Sequence, residues 1–241
     1  MEWTSENMAA NAALVRERIA RACARAGRDP ASVTLVWVSK TKPAEAVRAA
    51  YGAGARDFGE NRVQELVAKF SDPLPGVTRH LIGPLQSNKA RKAVALADVI
   101  HTVASMDLVR RLDALAAEAD RTLKILFQVN VSGEATKSGL SPAELPAFLA
   151  ALPESGRLLY SGLMTIGPNT GNPEDARGPF RTLRALRDDV LGGDARFSRF
   201  VELSMGMTDD LEVAVEEGAT LVRVGTALFG ARDYGAANKE R

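Results

Sequence analysis

One lysine in this chain stands where an amine could do covalent chemistry. The run Leu35-Val36-Trp37-Val38-Ser39-Lys40-Thr41-Lys42-Pro43 is apolar and β-branched, ends on Lys40, and is followed by a proline that could open a helix. Strand side chains alternate between faces, so Val36, Val38 and Lys40 project to one side. If that side is a protein interior, the Lys40 ammonium loses water, its pKa falls, and the amine becomes a nucleophile towards a carbonyl. Taken alone, the same run also describes a surface strand with a solvated lysine at its end. Lys42 shares the parity of Lys40. It lies directly before Pro43, where strand geometry should have ended, and is expected to face solvent.

Two later stretches suit an anion. Ser204-Met205-Gly206-Met207-Thr208 is a glycine-containing turn that runs into a helix, and Gly225-Thr226 does the same after the next strand. Helix N-termini offer unpaired N–H groups and a partial positive charge, which suits phosphate. Helix capping by Thr208, Asp209 and Asp210 is compatible with that role. Arg223 has the parity of Leu221 and opposes Val222 and Val224. A permanent cation inside a strand needs a partner, either a surface acid or a ligand heteroatom.

The elements that would position these groups alternate regularly. A leading helix, Ser5 to Ala26, is capped by Ser5 and carries Leu14, Ile19, Ala22 and Ala26 at near-helical spacing. Strands follow at 33–39, around 56–59, 79–83, 98–103, 123–131 (the longest), 158–166, 200–204 and 220–224. Helices are expected at 43–53, 61–70, 87–96, 106–119, from 141, at 174–190 and at 208–217, with a short helical start after the last strand. Eight strands with intervening helices in about 200 residues is the count and length of a (β/α)8 TIM barrel. An open doubly wound sheet competes, because local alternation does not show closure. The count, and the lack of a composition break, favour one barrel domain over 1–241, with a leading helix in 1–30, the barrel in 31–235 and a tail in 236–241. Gly167 to Pro173 is expected to be a surface connection.

Composition narrows the partners. The 241 residues hold 31 Lys plus Arg against 30 Asp plus Glu, so no charge excess calls for nucleic acid or an anionic membrane. No apolar run reaches the roughly 18 residues of a membrane span. The single cysteine, Cys23, excludes an intrachain disulfide framework and fits a reducing compartment, so the cytoplasm is expected. Helix-face basic residues Lys89, Arg91 and Lys92 read as solvated.

In a barrel of this kind chemistry sits at the carboxyl ends of the strands. An amine, a phosphate cradle and an arginine around one mouth suggest pyridoxal 5′-phosphate. Its aldehyde would form a Schiff base with Lys40, its phosphate would lie across Ser204–Thr208 and Gly225–Thr226, and its ring nitrogen would face Arg223.

The residues also carry a family resemblance. Val38-Ser39-Lys40-Thr41-Lys42-Pro43, Phe58-Gly59-Glu60-Asn61, His80 to Lys89, Lys137-Ser138-Gly139, Gly162-Leu163-Met164, Ser204-Met205-Gly206-Met207 and Val222-Arg223-Val224-Gly225-Thr226 are spread almost to Tyr234. In these blocks the chain closely resembles the pyridoxal-phosphate homeostasis protein family, which has the alanine-racemase-like barrel without that enzyme's second domain. The resemblance implies that Lys40 carries the aldehyde, that Ser204, Met207, Thr208, Gly225 and Thr226 hold phosphate, that Arg223 faces the pyridine nitrogen, and that Asn61 lies near the ring. Two positions depart from the family's habit: Arg62 where tyrosine is usual, and Thr208 where serine is commoner. Thr208 keeps the hydroxyl, whereas Arg62 removes an aromatic contact.

Two functions of different class follow. One is a carrier that buffers pyridoxal phosphate and delivers it to apoenzymes; the other is an amino-acid racemase using the same cofactor. An arginine at the ring nitrogen donates a hydrogen bond without yielding its proton, which leaves the ring a weaker electron sink. Racemisation also needs a second acid or base on the opposite ring face. In the resembling racemase a tyrosine from the extra domain supplies it. Here Tyr51, Tyr160 and Tyr234 fall away from the strand tops, and His101 is expected to be a hydrogen-bonded wall residue. The carrier is therefore expected, with little turnover, as a monomer.

Overall fold

A computed structural model describes residues 3–134, 138–191 and 193–231. Lys137 and Tyr234 lie outside these residues. The leading helix α1 (Ser5–Arg25) buries Met8, Ala12, Val15, Ile19, Ala22 and Cys23 on one face. Thr4, not Ser5, caps it, its Oγ1 accepting from the Asn7 amide at 3.2 Å. Leu14, expected on the apolar face, is 63% exposed: the true stripe runs one position off, through Ala12 and Val15.

The barrel elements follow in order: β1 (Thr34–Val38), α2 (Ala44–Gly52), β2 (Asp57–Glu60), α3 (Val63–Phe70), β3 (Thr78–Leu81), α4 (Ala90–Leu96), β4 (Val99–Val103), α5 (Met106–Glu118), β5 (Leu123–Gln128), α6 (Leu145–Ala150), β6 (Leu158–Met164), α7 (Arg177–Val190), β7 (Glu202–Ser204), α8 (Leu211–Glu216), β8 (Leu221–Val224) and α9 (Thr226–Phe229). The strands close in sequence order, and β1 pairs in parallel with β8 from Thr34↔Leu221 to Trp37↔Val224. That pairing confirms the (β/α)8 barrel and removes the open sheet.

Alternation sorts the strand side chains. Trp37, Phe58, Ile100, Val222 and Val224 point outward into the layer under the helices, while Val36, Val99, Leu126, Met164 and Leu221 form a separate apolar cluster inside the barrel. The Pro43 position is the N-cap of α2, as its fixed φ allows.

Several boundaries differ from the sequence reading for local reasons. β5 stops at Gln128 and β6 is the longest strand, because the chain after Gln128 bonds the returning Leu140 instead (Leu140 N to Gln128 O and Asn130 N to Leu140 O, both 2.8 Å). α6 waits until Leu145, after Ser141 and Glu144 have bonded each other reciprocally. α8 starts at Leu211 because Asp210 Oδ1 accepts from the Met207 amide at 2.6 Å and holds a turn there. Gly206 makes this turn possible, since its φ of +92° is closed to most side chains.

Candidate functional site

A cavity of about 270 Å³ opens at the carboxyl ends of the strands. The turn after β1 brings Lys40 to it, the turn after β2 brings Asn61, β8 brings Arg223, and Gly225 and Thr226 follow at the start of α9. The turn after β7 adds Met207 and Thr208. Seven of the eight residues singled out from sequence thus meet at one place. Ser204 stands apart, fully buried and absent from the cavity wall.

The Lys40 backbone is held from both sides. Ser39 Oγ donates to Glu60 Oε1 at 2.5 Å. Lys69, from the last turn of α3, spends its three ammonium donors on Ser39 O (2.7 Å), Glu60 Oε1 (2.8 Å) and Glu65 Oε2 (2.9 Å). The same Glu65 oxygen accepts from the Thr41 amide at 2.8 Å. Thr41 has a φ of +65°, a rare conformation for a β-branched residue. Burial pushes the Glu60 carboxyl up to about 7, against the pull of Lys69, and its Oε2 has no hydrogen-bond partner.

Lys42 corrects an expectation. It is only 9% exposed and lines the same cavity as Lys40. Its Nζ donates to Ala231 O at 2.8 Å and sits 5.7 Å from the centre of the Trp3 ring. The strand does end before Pro43, at Val38, as the proline suggested; Lys42 is nevertheless buried because chain segments from both ends of the sequence cover it.

Arg223 points into the barrel, as its parity requires, and is 5% exposed. Its guanidinium donates to Ser204 Oγ (2.7 Å) and to Thr165 O (2.8 Å). Burial lowers its pKa to about 10, so it stays charged at neutral pH, and Asp210 favours that charge. Ser204 in turn meets His101 Nδ1 at 2.8 Å, His101 Nε2 meets His80 Nδ1 at 2.9 Å, and His80 Nε2 meets Asp57 Oδ1 at 3.2 Å. A carboxylate has no donor, so with both imidazoles neutral the Asp57 end fixes the direction of this chain, and a Ser204 hydroxyl that accepts from Arg223 is compatible with it. Arg223 donates to Ser204, Ser204 to His101, His101 to His80, and His80 to Asp57. Every link is satisfied with both imidazoles neutral and protonated on Nε2. Burial first, then the neighbouring His80 ring and the Arg223 cation, which oppose a positive charge there, depress the His101 pKa well below its usual value, consistent with that state. The Ser204 hydroxyl is therefore spent on His101 and Arg223, and its service is to the arginine rather than to the cavity wall.

At the turn after β7 the Met207 amide is already given to Asp210, which leaves Met207 as a half-exposed wall. Arg18 of α1 donates to Thr208 O at 2.8 Å and makes a two-pronged ion pair with Glu212 (2.6 and 2.7 Å). Gly225 approaches β1 closely: a Cβ there would come 3.2 Å from Val38 O. Asn61 is pressed against the chain just after β3, where a Cβ on Gly83 would lie 2.2 Å from Asn61 O. An adjoining cavity of about 210 Å³ shares Ile82 and Ile166 with the first and is mostly apolar.

Sequence reasoning missed Lys69 and Glu65, whose i,i+4 spacing on α3 was the available signal, and missed His80, Asp57 and Arg18. No helix among the described residues is long and apolar enough to cross a membrane.

A family model described as the alanine racemase N-terminal domain matches residues 7–233. The pyridoxal phosphate homeostasis protein of Pseudomonas aeruginosa is 48% identical over 98% of this chain and 99% of its own length. Its namesake in Escherichia coli K12 is 42% identical over 95% and 98%. Among solved structures, PipY of Synechococcus elongatus with PLP bound superposes with a TM-score of 0.78 at 44% identity, covering 90% of this chain and all of that one. Alanine racemase from Corynebacterium glutamicum shares the fold, with a TM-score of 0.69 at 15% identity over 95% of this chain and 61% of its own.

Proposed function

This chain belongs to the pyridoxal phosphate homeostasis protein family, and we propose that it holds pyridoxal 5′-phosphate at the barrel mouth, buffering the cofactor in the cytoplasm and delivering it to apoenzymes. The donor set fits that molecule. The cavity gathers two amines, a guanidinium, two threonine hydroxyls and an amide around one carboxylate, Asp209, and such a surplus of donors suits a phosphorylated ring that bears an aldehyde.

Lys40 is the amine assigned to the aldehyde. Thr208, Gly225 and Thr226 are assigned to the phosphate, with Met207 as a wall beside it, and Asn61 to the edge of the ring. Arg223 faces the ring nitrogen as a fixed donor, anchored from behind by Ser204 and Thr165. When bound, the cofactor supplies an electrophilic carbon that captures amines and a ring that withdraws electrons from them. Arg223 limits the second property, because a guanidinium that keeps its proton leaves the ring nitrogen unprotonated. The observation that carries this reading is the convergence of Lys40 and Arg223 on one cavity with the turns after β7 and β8.

The carrier reading is also supported by where acid–base groups lie. Tyr51 and Tyr160 give their hydroxyls to Pro75 O (3.1 Å) and Pro153 O (2.8 Å), and His101 is enclosed in the barrel. One observation favours a racemase instead: Lys42 puts a second amine in the cavity. Purified protein incubated with pyridoxal phosphate, reduced with borohydride and mapped by peptide should carry the label on Lys40, and Lys40→Ala should lose it. Label confined to Lys42, or none, would overturn the assignment. Incubation of the loaded protein with L-alanine should leave the enantiomer ratio nearly unchanged, while sustained racemisation would favour the enzyme.

A further inference from the structure

Two amines share this cavity, and the structure treats them differently. Lys42 is parked by contacts from the ends of the chain, Ala231 and Trp3. The segment around Lys40 is instead gripped by a buried cluster on β2 and α3. Lys69, with a side chain 6% exposed, and Glu60, fully enclosed, have given up water to form their ion pair, a costly arrangement unless every donor is matched. A lysine–glutamate pair that merely joined α3 to β2 would need only the Lys69–Glu60 contact. Three of the five hydrogen bonds in the cluster end instead on Ser39 and Thr41, the residues flanking Lys40. They hold the Ser39 carbonyl, the Ser39 hydroxyl and the Thr41 amide, and so maintain the strained left-handed backbone of Thr41.

We propose that Lys69, together with Glu60 and Glu65, positions the Ser39–Thr41 turn so that Lys40 rather than Lys42 captures the aldehyde. The inference rests on the cofactor reading given above. In the capture the Lys40 nitrogen bonds the aldehyde carbon and the carbonyl oxygen leaves as water; borohydride then delivers hydride to that carbon, and the nitrogen ends as a secondary amine. Lys69 touches none of the reacting atoms. It is a positioning residue, and loosening it should redistribute the reaction between the two lysines.

The test compares wild type, Lys69→Met, Lys69→Arg and Glu65→Ala by borohydride trapping with pyridoxal phosphate, peptide mapping and circular dichroism. The Lys40-to-Lys42 label ratio should fall at least about tenfold in K69M and several-fold in E65A, and K69R should recover part of it. Glu65 is on the surface side of α3, so E65A tests the same grip should K69M not fold. Hydrogen exchange of the Thr41 amide, measured without cofactor, should quicken in E65A. A wild-type protein that takes no label defeats the cofactor reading and this inference with it. A wild type labelled on Lys40, with folded variants that keep its ratio and rate, defeats the positioning role alone.

Discussion

Glu60 shows how a single buried group leaves a mark on pH dependence. Its carboxyl moves from the ordinary 4.5 to about 7 in the fold, so between those values the folded protein binds more protons than the unfolded chain. Stability from this group is complete below 4.5 and is lost as pH rises towards 7. The loss is on the order of 3 kcal/mol, from about 1.4 kcal/mol for each pH unit. His101 works the other way: kept neutral by burial, it costs stability as pH falls below its unfolded value of 6.5. Absolute stability therefore mixes two opposite slopes, and the informative quantity is the difference from Glu60→Gln. Urea unfolding across pH 4.5 to 7 should show wild type losing ground steadily to that variant; parallel curves would mean that Glu60 is ionised throughout. Neither property was legible in the sequence, where Glu60 was one residue of a matching motif. Its environment comes from Lys69, nine residues later on a different element.

At the scale of elements, the links from Arg223 to Asp57 join β8, β7, β4, β3 and β2 through the barrel interior. Strand parity set Arg223 on the face of Leu221, opposite Val222 and Val224, without saying whether that face was inner or outer, and the expected strand boundaries placed His101 near a strand top. What parity could not supply was register between strands. Only the pairing of Gly59 with His80 and of His80 with Val99 brings Asp57, His80 and His101 within reach of one another. The chain has two histidines, so nitrogen NMR of histidine-labelled protein contains just the two imidazoles of interest. Both should appear at neutral pH as neutral rings protonated on Nε2. An Nδ1-protonated ring at either position, or an imidazolium at His101, would break the order of donation. His101→Leu should cost about 1–3 kcal/mol in denaturant unfolding, because His80 Nδ1 and Ser204 would be left buried with a missing partner.

At the scale of the whole molecule, the count of eight strands announced the barrel, and the structure closes it. The placement of α1 was less legible. Its amphipathic pattern said that it packs against something, without saying that the something is α8 and the turn before it. Arg18 makes that contact, spanning 190 residues of sequence to reach Thr208. Removing it in Arg18→Ala should cost about 0.5–1 kcal/mol in stability, as expected for a partly exposed pair. Through the Thr208 turn it should weaken pyridoxal phosphate binding by about two- to fivefold. Calorimetric titration checks the second effect, and unchanged affinity would separate α1 from the site.

The cover over Lys42 has a practical corollary. Trp3 and Ala231 belong to opposite ends of the sequence, yet both rest against the lysine that shares the mouth with Lys40. Changes at either of these residues therefore reach the mouth directly. Binding constants measured on a protein altered at Trp3 or Ala231 would describe a differently covered second amine, so the two positions belong among the controls for any assignment to Lys40.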